Sequence, residues 1–316
     1  MDNFYKQLNK FGKVKLDEPL SKHTTLKVGG PAKYFVIVDS ITKLGGLLKY
    51  LDAEGVLYIV MGGGSNMLVG DDGFDGVVIK VQSSECEVEG DVIRADAGCT
   101  TVQIAQESIK AGLTGFEWGV GVPGTIGGAV RGNAGAMDGD MAEAVEKVEV
   151  YRDGEILELS KEECEFGYRN SCFKREGGVV LRVWLRLKKD KEGEGKELMK
   201  KAIEHIKYRN QTQPQGHASS GCTFKNVELK KQDTNYKIQI PSDFLDKGII
   251  PAGWLIDQCR LKGYQVGNAQ ISEKHGNFIV NLGCATANDI LSIIDHVKGE
   301  VYNTFGINLE EEIQII

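Results

Sequence analysis

The stretch GVPGTIGGAVRGNAGA, from Gly121 to Ala136, constrains this chain more than any other part of its sequence. Glycine stands at nearly every second or third position, and few of the side chains between are large enough to fill a core. Because glycine loses more conformational freedom on folding than any other residue, such a run suits unusual dihedral angles or close approach to the backbone. Two interpretations follow: tight turns between short strands, or exposed peptide N–H groups that lie against a diphosphate-bearing cofactor.

A second glycine loop, GGGSN at Gly62–Asn66, follows the apolar run VLYIVM and adds the Ser65 hydroxyl to its N–H donors. Either loop alone is as consistent with a hairpin turn as with a ligand site, but two loops favour an extended ligand held by backbone. GVGVPG (Gly119–Gly124) formally matches the dinucleotide fingerprint G-x-G-x-x-G, although Pro123 is unsuited to a regular strand–turn–helix. No G-x-x-x-x-G-K-[ST] run is present, which argues against a P-loop kinase or ATPase.

Composition and charge exclude several classes of protein. The 316 residues are 41% hydrophobic and include 40 glycines, which is enough apolar material for two buried cores and predicts many turns. A net charge of −7 argues against a nucleic-acid binder. The seven cysteines form no CxxC pair and the five histidines are scattered, so we expect neither disulfides nor a metal site. Without a signal core or a membrane-spanning run, the sequence predicts a cytoplasmic protein with no membrane insertion.

Apolar periodicity predicts an α+β protein. Strand patterns cover 33–40, 56–61, 76–81, 86–97, 145–160 (a hairpin that turns at Asp153-Gly154), 178–189, 277–282 and 307–316. Helix patterns cover 4–11, 41–55, 100–112, 197–208, 253–261 and 287–305. The charged segment KDKEGEGK (189–196) is the best candidate for a linker, so we predict two domains, 1–195 and 196–316.

Eight motifs occur in one order from His23 to Ile313: HTTLKVGGPA, GGGSNMLV, GVPGTIGGAVRGNAGA, FGYRNS, GCTFKN, AGWLIDQCRLKG, KHGNFIVN and FGINLEEEI. Together they resemble the UDP-N-acetylenolpyruvoylglucosamine reductase (MurB) family over nearly the whole chain. The resemblance implies an FAD-binding domain of the vanillyl-alcohol-oxidase (PCMH) type, with its core at 27–190, plus a C-terminal α+β substrate-binding domain. It also implies an NADPH-dependent oxidoreductase that makes UDP-N-acetylmuramate for peptidoglycan from a UDP-sugar substrate.

Under this resemblance the two glycine loops wrap the FAD diphosphate and isoalloxazine, which explains why side chains are excluded there. The implied cofactor-binding residues are Gly62, Gly63, Gly64, Ser65, Asn66, Gly121, Pro123, Gly124, Thr125, Gly127, Asn133 and Gly135.

Reduction of an enolpyruvyl ether needs a hydride, a proton donor and a fixed cation for the charge that grows on the carboxylate. Arg169, in FGYRNS, resembles the family arginine that neutralises this charge; the alternative is a surface arginine at a strand end. Cys222, in SSGCTFKN, stands where many relatives carry a proton-donating serine. A free thiol has a pKa of about 8.5, so it is a better acid than a hydroxyl. The alternative for Cys222 is a small buried hydrophobe.

The C-terminal sequence LEEEI offers two candidate carboxylates. In a regular alternating strand, Ile307, Leu309 and Ile313 would share one face with Glu311. The family pattern instead places the catalytic carboxylate at Glu312. We therefore predict Glu312 as the acid that stabilises the enol, with Glu311 as its rival.

The resemblance also implies four substrate-binding residues: Tyr168, Arg209, Lys225 and Asn226. The interval between Arg169 and Cys222 is too short for the tyrosine-bearing loop of some members, so the chain resembles the shorter, type II-like subtype. Segment 227–250 is longer than in compact members. Two other functions compete: a hydroxy-acid or sugar oxidase with the same flavin fold, and a nucleotide-binding module without catalysis.

Overall fold

The computed structural model of the chain describes residues 3–137, 139–190, 196–229 and 240–316. The chain forms two compact units, the first from Met1–Glu18, Ala32–Gly64 and Phe74–Arg209, the second from Pro19–Pro31, Ser65–Gly73 and Asn210–Ile316. The domain boundary at 195/196 stays a prediction. The compact units divide differently, because Leu198 and Ala202 form a buried cluster with Ile109 and so hold residues 196–209 in the first unit. Of the predicted linker, 191–195 lie outside the described residues.

The first unit contains two main sheets. One has the strand order Lys13–Pro19, Pro31–Val38, Phe74–Val81, Tyr58–Met61, and its last three strands are parallel. The other is antiparallel, in the order Glu155–Ser160, Val145–Arg152, Val179–Arg186, Val92–Asp96, Cys86–Glu89. Two short antiparallel pairs join Leu113–Thr114 to Lys188–Lys189 and Gly135–Ala136 to Gly139–Asp140.

Helices pack against both main sheets of the first unit. They span Asn3–Leu8, Ile41–Ala53, Thr101–Lys110, Ile126–Gly132, Met141–Ala144, Cys172–Arg175 and Lys196–Thr212, with a 3₁₀ turn at Glu117–Gly121. The Ile41–Ala53 helix buries Leu44, Leu47 and Leu51 in one core with the four-stranded sheet. A second core joins the five-stranded sheet to the Thr101–Lys110 and Ile126–Gly132 helices. The sequence predicted four of these helices, at 4–11, 41–55, 100–112 and 197–208.

The second unit is built on one antiparallel sheet in the order Ala218–Cys222, Phe278–Asn281, Ala269–Ile271, Gln265–Val266. Its helices span Ser242–Lys247, Ala252–Gln258 and Ala287–Phe305, with a 3₁₀ turn at Leu20–Lys22. Two further short pairs join Val227–Glu228 to Ile249–Ile250 and Met67–Leu68 to Gln314–Ile315. Of segment 227–250, residues 230–239 lie outside the described residues.

The Ala287–Phe305 helix organises the core of the second unit. A capping box between Thr286 and Asp289 starts it, and Gly306 ends it in the left-handed conformation with φ 76°. The Asp71 carboxylate accepts hydrogen bonds from the backbone N–H groups of residues 287 (2.8 Å) and 288 (3.2 Å). The buried side chains of this helix follow the helical period: Ala287, Ile290, Ile293, Ile294, Val297, Val301 and Phe305.

The chain end differs from the continuous strand predicted for 307–316. Only Gln314–Ile315 forms a strand, parallel to Met67–Leu68, and Glu311 makes a single bridge to Phe224. The backbone changes its hydrogen-bond partner between these two points, so no single ladder forms. Ile307, Leu309 and Ile313 are nevertheless buried, whereas Ile315 is exposed.

Candidate active site

The two glycine loops pack closely against each other within the first unit. A Cβ atom on Gly62 would lie 2.0 Å from Thr125 Oγ1, and one on Gly63 would lie 2.8 Å from Gly124 Cα. Gly64 and Gly124 also have positive φ angles, 65° and 119°, that side chains disfavour. Glycine is therefore required at the contact between the loops.

Backbone hydrogen bonds hold the 121–136 glycine run against the residues that follow the Val92–Asp96 strand. Ile126 N–H donates to Cys99 O at 2.8 Å, and Gly127 N–H donates to Ala97 O at 3.0 Å. A Cβ on Gly127 would lie 2.8 Å from Ala97 Cβ. The G-x-G-x-x-G match at 119–124 falls in the 3₁₀ turn and the extended residue after it, so it is not a Rossmann strand–turn–helix.

Arg209 lies beside this loop, in the first unit. Its Cδ would be 2.5 Å from a Cβ on Gly121. From the sequence, Arg209 was assigned to the substrate. In the structure its side chain lies against Gly121, one of the residues predicted to bind the cofactor.

Asn133 links the glycine run to the segment that carries Arg169. It has φ 41°, and its Nδ2 donates to Gly167 O at 2.9 Å and to Asp140 Oδ2 at 3.3 Å. Its Oδ1 accepts the N–H of Ala142 at 2.9 Å. Asn133 was predicted to bind the cofactor, and its carboxamide bonds to other parts of the protein.

The structure brings Arg169 to the Gly135 end of the run. Reciprocal backbone bonds between Gly167 and Asn170 (3.0 and 3.1 Å) close a tight turn in which Arg169 has φ 51°. The guanidinium donates to Gly135 O at 3.2 Å and to Asn133 O at 3.5 Å. It also lies 5.7 Å from the ring centroid of Tyr168, within the range of a cation–π contact. Tyr168, Arg169, Asn133 and Gly135 thus form one group.

Sequence reasoning missed two cations beside the glycine loops. The Lys80 ammonium donates to the Gly62 carbonyl, and burial lowers the pKa of Lys80. Burial likewise lowers the pKa of Arg131, in the last turn of the Ile126–Gly132 helix within the 121–136 glycine run. The signal for Lys80 was available: a lysine that interrupts the apolar run GVVIKV of a parallel strand, where continuous apolar residues are usual.

In the second unit, an irregular strand presents Cys222. The Ala218–Cys222 strand shifts its register against Phe278–Asn281 between Ser219 and Cys222, with Gly221 at φ 82°. Such an irregularity redirects the side chains that follow it. Cys222 is half-buried, pairs with Phe278 and carries a reduced thiol.

The residues after Cys222 pair with the segment that carries the three glutamates. The Thr223 carbonyl accepts the N–H of Glu312 at 2.8 Å, and Lys225 N–H donates to Glu310 O at 2.9 Å. Cys222 and Glu312 are therefore each within one residue of the same backbone hydrogen bond. The fold therefore links two of the site residues predicted in this unit through the backbone of Thr223.

The neighbouring carboxylates have partners of their own. Glu311 pairs with Lys298 of the long helix at 2.7 Å, and Glu310 pairs with Lys225 at 2.9 Å. Lys225 was predicted to contact substrate, and here it is an ion-pair partner at the surface.

Asn66 and Asn226 also have structural bonds. Asn66 Nδ2 donates to Glu312 O at 3.0 Å, and its backbone carbonyl accepts the N–H of Gln314 at 2.9 Å. Asn226 Oδ1 accepts the N–H of Ala252 at 3.1 Å. Ser65 precedes Asn66 in the second unit, whereas Gly62–Gly64 belong to the first.

Two kinds of feature are absent from the described residues. Within 3–137, 139–190, 196–229 and 240–316, no three His, Cys, Asp or Glu side chains are grouped so that they could bind a metal ion. In the same ranges no helix has both the length and the apolar character needed to span a membrane.

Comparison with known proteins covers nearly the whole chain. A family model described as the C-terminal domain of UDP-N-acetylenolpyruvoylglucosamine reductase matches residues 213–316, and an FAD binding domain model matches residues 32–160. The reductase of Caldanaerobacter subterraneus subsp. tengcongensis is 39% identical over 313 residues, which cover 98% of this chain and 96% of that protein. The Bacillus subtilis reductase is 39% identical over 310 residues, covering 96% and 94%.

A solved structure gives the same result. The crystal structure of the Thermus caldophilus reductase is 37% identical, with a TM-score of 0.76, and the match covers 96% of this chain and 98% of that one. The similarity therefore extends over both compact units.

Proposed function

Because this chain belongs to the UDP-N-acetylenolpyruvoylglucosamine reductase family, we propose that it reduces UDP-N-acetylenolpyruvoylglucosamine to UDP-N-acetylmuramate, with NADPH as the electron donor. The chain is an FAD-containing oxidoreductase of mixed α and β structure. The observation that carries the residue assignments is the backbone hydrogen bond between Thr223 and Glu312, which holds a thiol and a carboxylate in one framework. Family membership does not favour the oxidase alternative.

The glycine loops of the first unit fit a flat, anionic cofactor. At Gly62, Gly63 and Gly127 a Cβ atom would meet neighbouring protein atoms at 2.0–2.8 Å, so the loops can be this thin only with glycine. Peptide N–H groups without side chains in front of them suit a diphosphate. The predicted cofactor set at 62–66 and 121–135 is the set that we propose for FAD. Bound FAD supplies the two-electron redox chemistry that protein side chains lack.

Arg169 is proposed to neutralise the negative charge that develops on the substrate carboxylate during reduction. Its guanidinium is held by the carbonyl groups of Asn133 and Gly135, and the 167–170 turn fixes its backbone. A cation oriented before the reaction stabilises the developing charge without further reorganisation. The planar guanidinium also matches a carboxylate and keeps its proton at neutral pH.

Cys222 is proposed as the proton donor. Its Sγ–H bond would break as a C–H bond forms at the carbon that bears the carboxylate, and the thiolate would then recover a proton from solvent. The irregular strand ending at Cys222 supports the assignment, since it fixes the direction of this side chain.

Glu312, rather than Glu311, is proposed as the acid that stabilises the enol. The Glu311 carboxylate pairs with Lys298 at 2.7 Å and is therefore turned toward the Ala287–Phe305 helix. The Glu312 backbone is bonded to the residue next to Cys222. Alanine variants of the two residues separate the assignments, because only the loss of the true acid slows the step that consumes substrate.

The remaining assignments concern the substrate and the setting. Tyr168, Lys225 and Asn226 are proposed to contact the UDP-sugar, and Lys225 would exchange its Glu310 partner for a phosphate. We propose Arg209 as a contact for an anionic group beside Gly121. We also propose that the protein is cytoplasmic and binds no nucleic acid. The domain boundary is proposed at 195/196.

An anaerobic two-step titration tests the proposed function. The purified protein should be yellow, NADPH should bleach its flavin absorbance, and the enolpyruvyl UDP-sugar should then restore the colour in the absence of oxygen. An oxidase would instead be bleached by a hydroxy acid or a sugar. A protein that binds no flavin, or whose reduced flavin is not reoxidised by the UDP-sugar, would refute the proposal.

A further inference from the structure

Asn277 lies beside the chain that leads away from Cys222. It immediately precedes the Phe278–Asn281 strand and is 2% exposed. It is not among the residues that the sequence singled out. Burying a carboxamide is unfavourable unless its hydrogen bonds are made, so its partners indicate why it is there.

The Asn277 carboxamide bonds to both backbone groups of Phe224. Its Oδ1 accepts the Phe224 N–H at 2.9 Å, and its Nδ2 donates to the Phe224 carbonyl at 2.8 Å. The Asn277 backbone carbonyl accepts the Thr223 N–H at 2.8 Å. Asn277 thus makes the hydrogen bonds to Thr223 and Phe224 that a neighbouring strand would otherwise make.

The opposite edge of the same short segment holds the C-terminal residues. The Thr223 carbonyl accepts the Glu312 N–H at 2.8 Å, and Phe224 forms an antiparallel bridge with Glu311. The segment 223–225 therefore lies between Asn277 on one edge and 310–312 on the other. Any shift of this segment moves the backbone that carries Cys222 and the backbone that carries Glu312.

We propose that Asn277 is a positioning residue that sets the place of the Cys222 thiol relative to the Glu312 carboxylate. The inference rests on the proposed function, because it gives those two groups their roles. Asn277 acts through the backbone of Thr223 and Phe224. Its removal leaves the thiol and the carboxylate in the chain but frees the segment that aligns them, and misplacement by about 1 Å costs about 100-fold in rate.

Asn277→Asp is the deciding variant, because it preserves the size of the side chain. An ionised carboxylate accepts the Phe224 N–H but has no hydrogen to donate to the Phe224 carbonyl, whereas a protonated carboxyl has one donor and one acceptor, like the amide. Burial raises the pKa of a carboxyl above its usual value of about 3.9, so the neutral form is reached in mild acid.

The assay follows the two half-reactions separately from pH 5.5 to 8. Flavin reduction by NADPH should match the wild type. Flavin reoxidation by the UDP-sugar, expressed relative to the wild type at each pH, should be slowed about 10- to 100-fold at pH 8. It should recover on acidification, by up to about tenfold for each unit of pH, as the carboxyl introduced at position 277 takes up its proton. Asn277→Ala should show the loss without the recovery.

Asn281→Asp is the matched control. Asn281 ends the strand that Asn277 precedes and is 6% exposed, but its carboxamide bonds to Leu26, Gly283 and Ala285. This variant should not slow reoxidation selectively. Equal behaviour of Asn277→Asp and Asn281→Asp, or a loss in Asn277→Asp that does not change with pH, would overturn the proposal.

Thiol labelling supplies a readout that does not need turnover. Iodoacetamide is added at pH 8, and peptide mass spectrometry compares labelling of Cys222 with that of the exposed Cys284. The Cys222-to-Cys284 ratio should rise in both Asn277 variants and stay at the wild-type value in Asn281→Asp. An unchanged ratio in the Asn277 variants would count against positioning. A wild-type enzyme that the UDP-sugar fails to reoxidise would refute the proposed function alone.

Discussion

Gly63→Ala tests whether the contact between the two glycine loops sets the affinity for FAD. The added Cβ would lie 2.8 Å from Gly124 Cα, and ordinary contact begins at 3.4 Å, so the loops must separate by at least the difference, 3.4 − 2.8 = 0.6 Å. Both partners are backbone, so neither can rotate away. Overpacking of this kind costs about 1–3 kcal/mol. If the free protein relaxes by opening the loops, FAD must close them again, and its dissociation constant rises by about 5- to 150-fold.

The assay is a titration of apoprotein with FAD, followed by quenching of flavin fluorescence. A denaturant titration of each apoprotein accompanies it, because strain that the free protein does not relieve appears there as lost stability. The free-energy cost of the added Cβ should therefore appear as weaker FAD binding, as lower stability of the apoprotein, or as a part of each.

Gly299→Ala provides the control for the chemical change itself. Gly299 is inside the Ala287–Phe305 helix, and apart from the adjacent turns of that helix no described atom lies within 4 Å of its added Cβ. Its FAD affinity should equal that of the wild type. A Gly63→Ala protein with wild-type affinity and wild-type stability would refute the view that the loops require glycine for their mutual contact.

Three further outcomes are expected. Gly299→Ala should raise the free energy of unfolding by about 0.5–1 kcal/mol in a denaturant titration, since alanine is the better helix former; a loss of stability would contradict the open surroundings of this position. Lys80→Met should weaken FAD binding about tenfold or more in the fluorescence titration, because the Gly62 carbonyl loses a charged donor, whereas Lys80→Arg should retain most of the affinity. Burial lowers the pKa of His275 below 6.5, so the unfolded chain takes up a proton first, and stability should fall as the pH drops below 6.5. His275→Gln should remove that part of the pH dependence of the free energy of unfolding, and an unchanged slope would refute the assignment.

Local signals were enough to predict many elements of the fold. The 287–305 helix was predicted with the bounds that the structure has, because its apolar period, its Thr286 cap and its terminal Gly306 all lie in the sequence next to it. The 145–160 hairpin followed in the same way from Asp153-Gly154. The prediction of a continuous strand at 307–316 was wrong, because the hydrogen-bond partners of this segment come from two distant parts of the chain.

The same distinction applies to the site. The glycine loops stand out because excluded side chains leave a compositional trace in the sequence. Asn277 leaves no such compositional trace, since its role arises from hydrogen bonds to Phe224, 53 positions earlier in the chain. Lys80 acts on a carbonyl 18 positions away, although the break in its apolar run was visible. Asn133 as a cofactor-binding residue stays a prediction, and its bonds to Gly167 and Asp140 appear only once the chain is folded.

The second unit is assembled from three separate stretches of polypeptide, and this has a consequence for how it is made. Its core includes Leu26, Val28 and Leu68 together with side chains from beyond residue 240. During translation these early residues leave the ribosome long before the strands and helix that will cover them. Contacts so distant along the chain form late and slowly. We therefore expect a fragment beginning at residue 210 to be insoluble when expressed alone, and to be rescued by co-expression of the N-terminal portion.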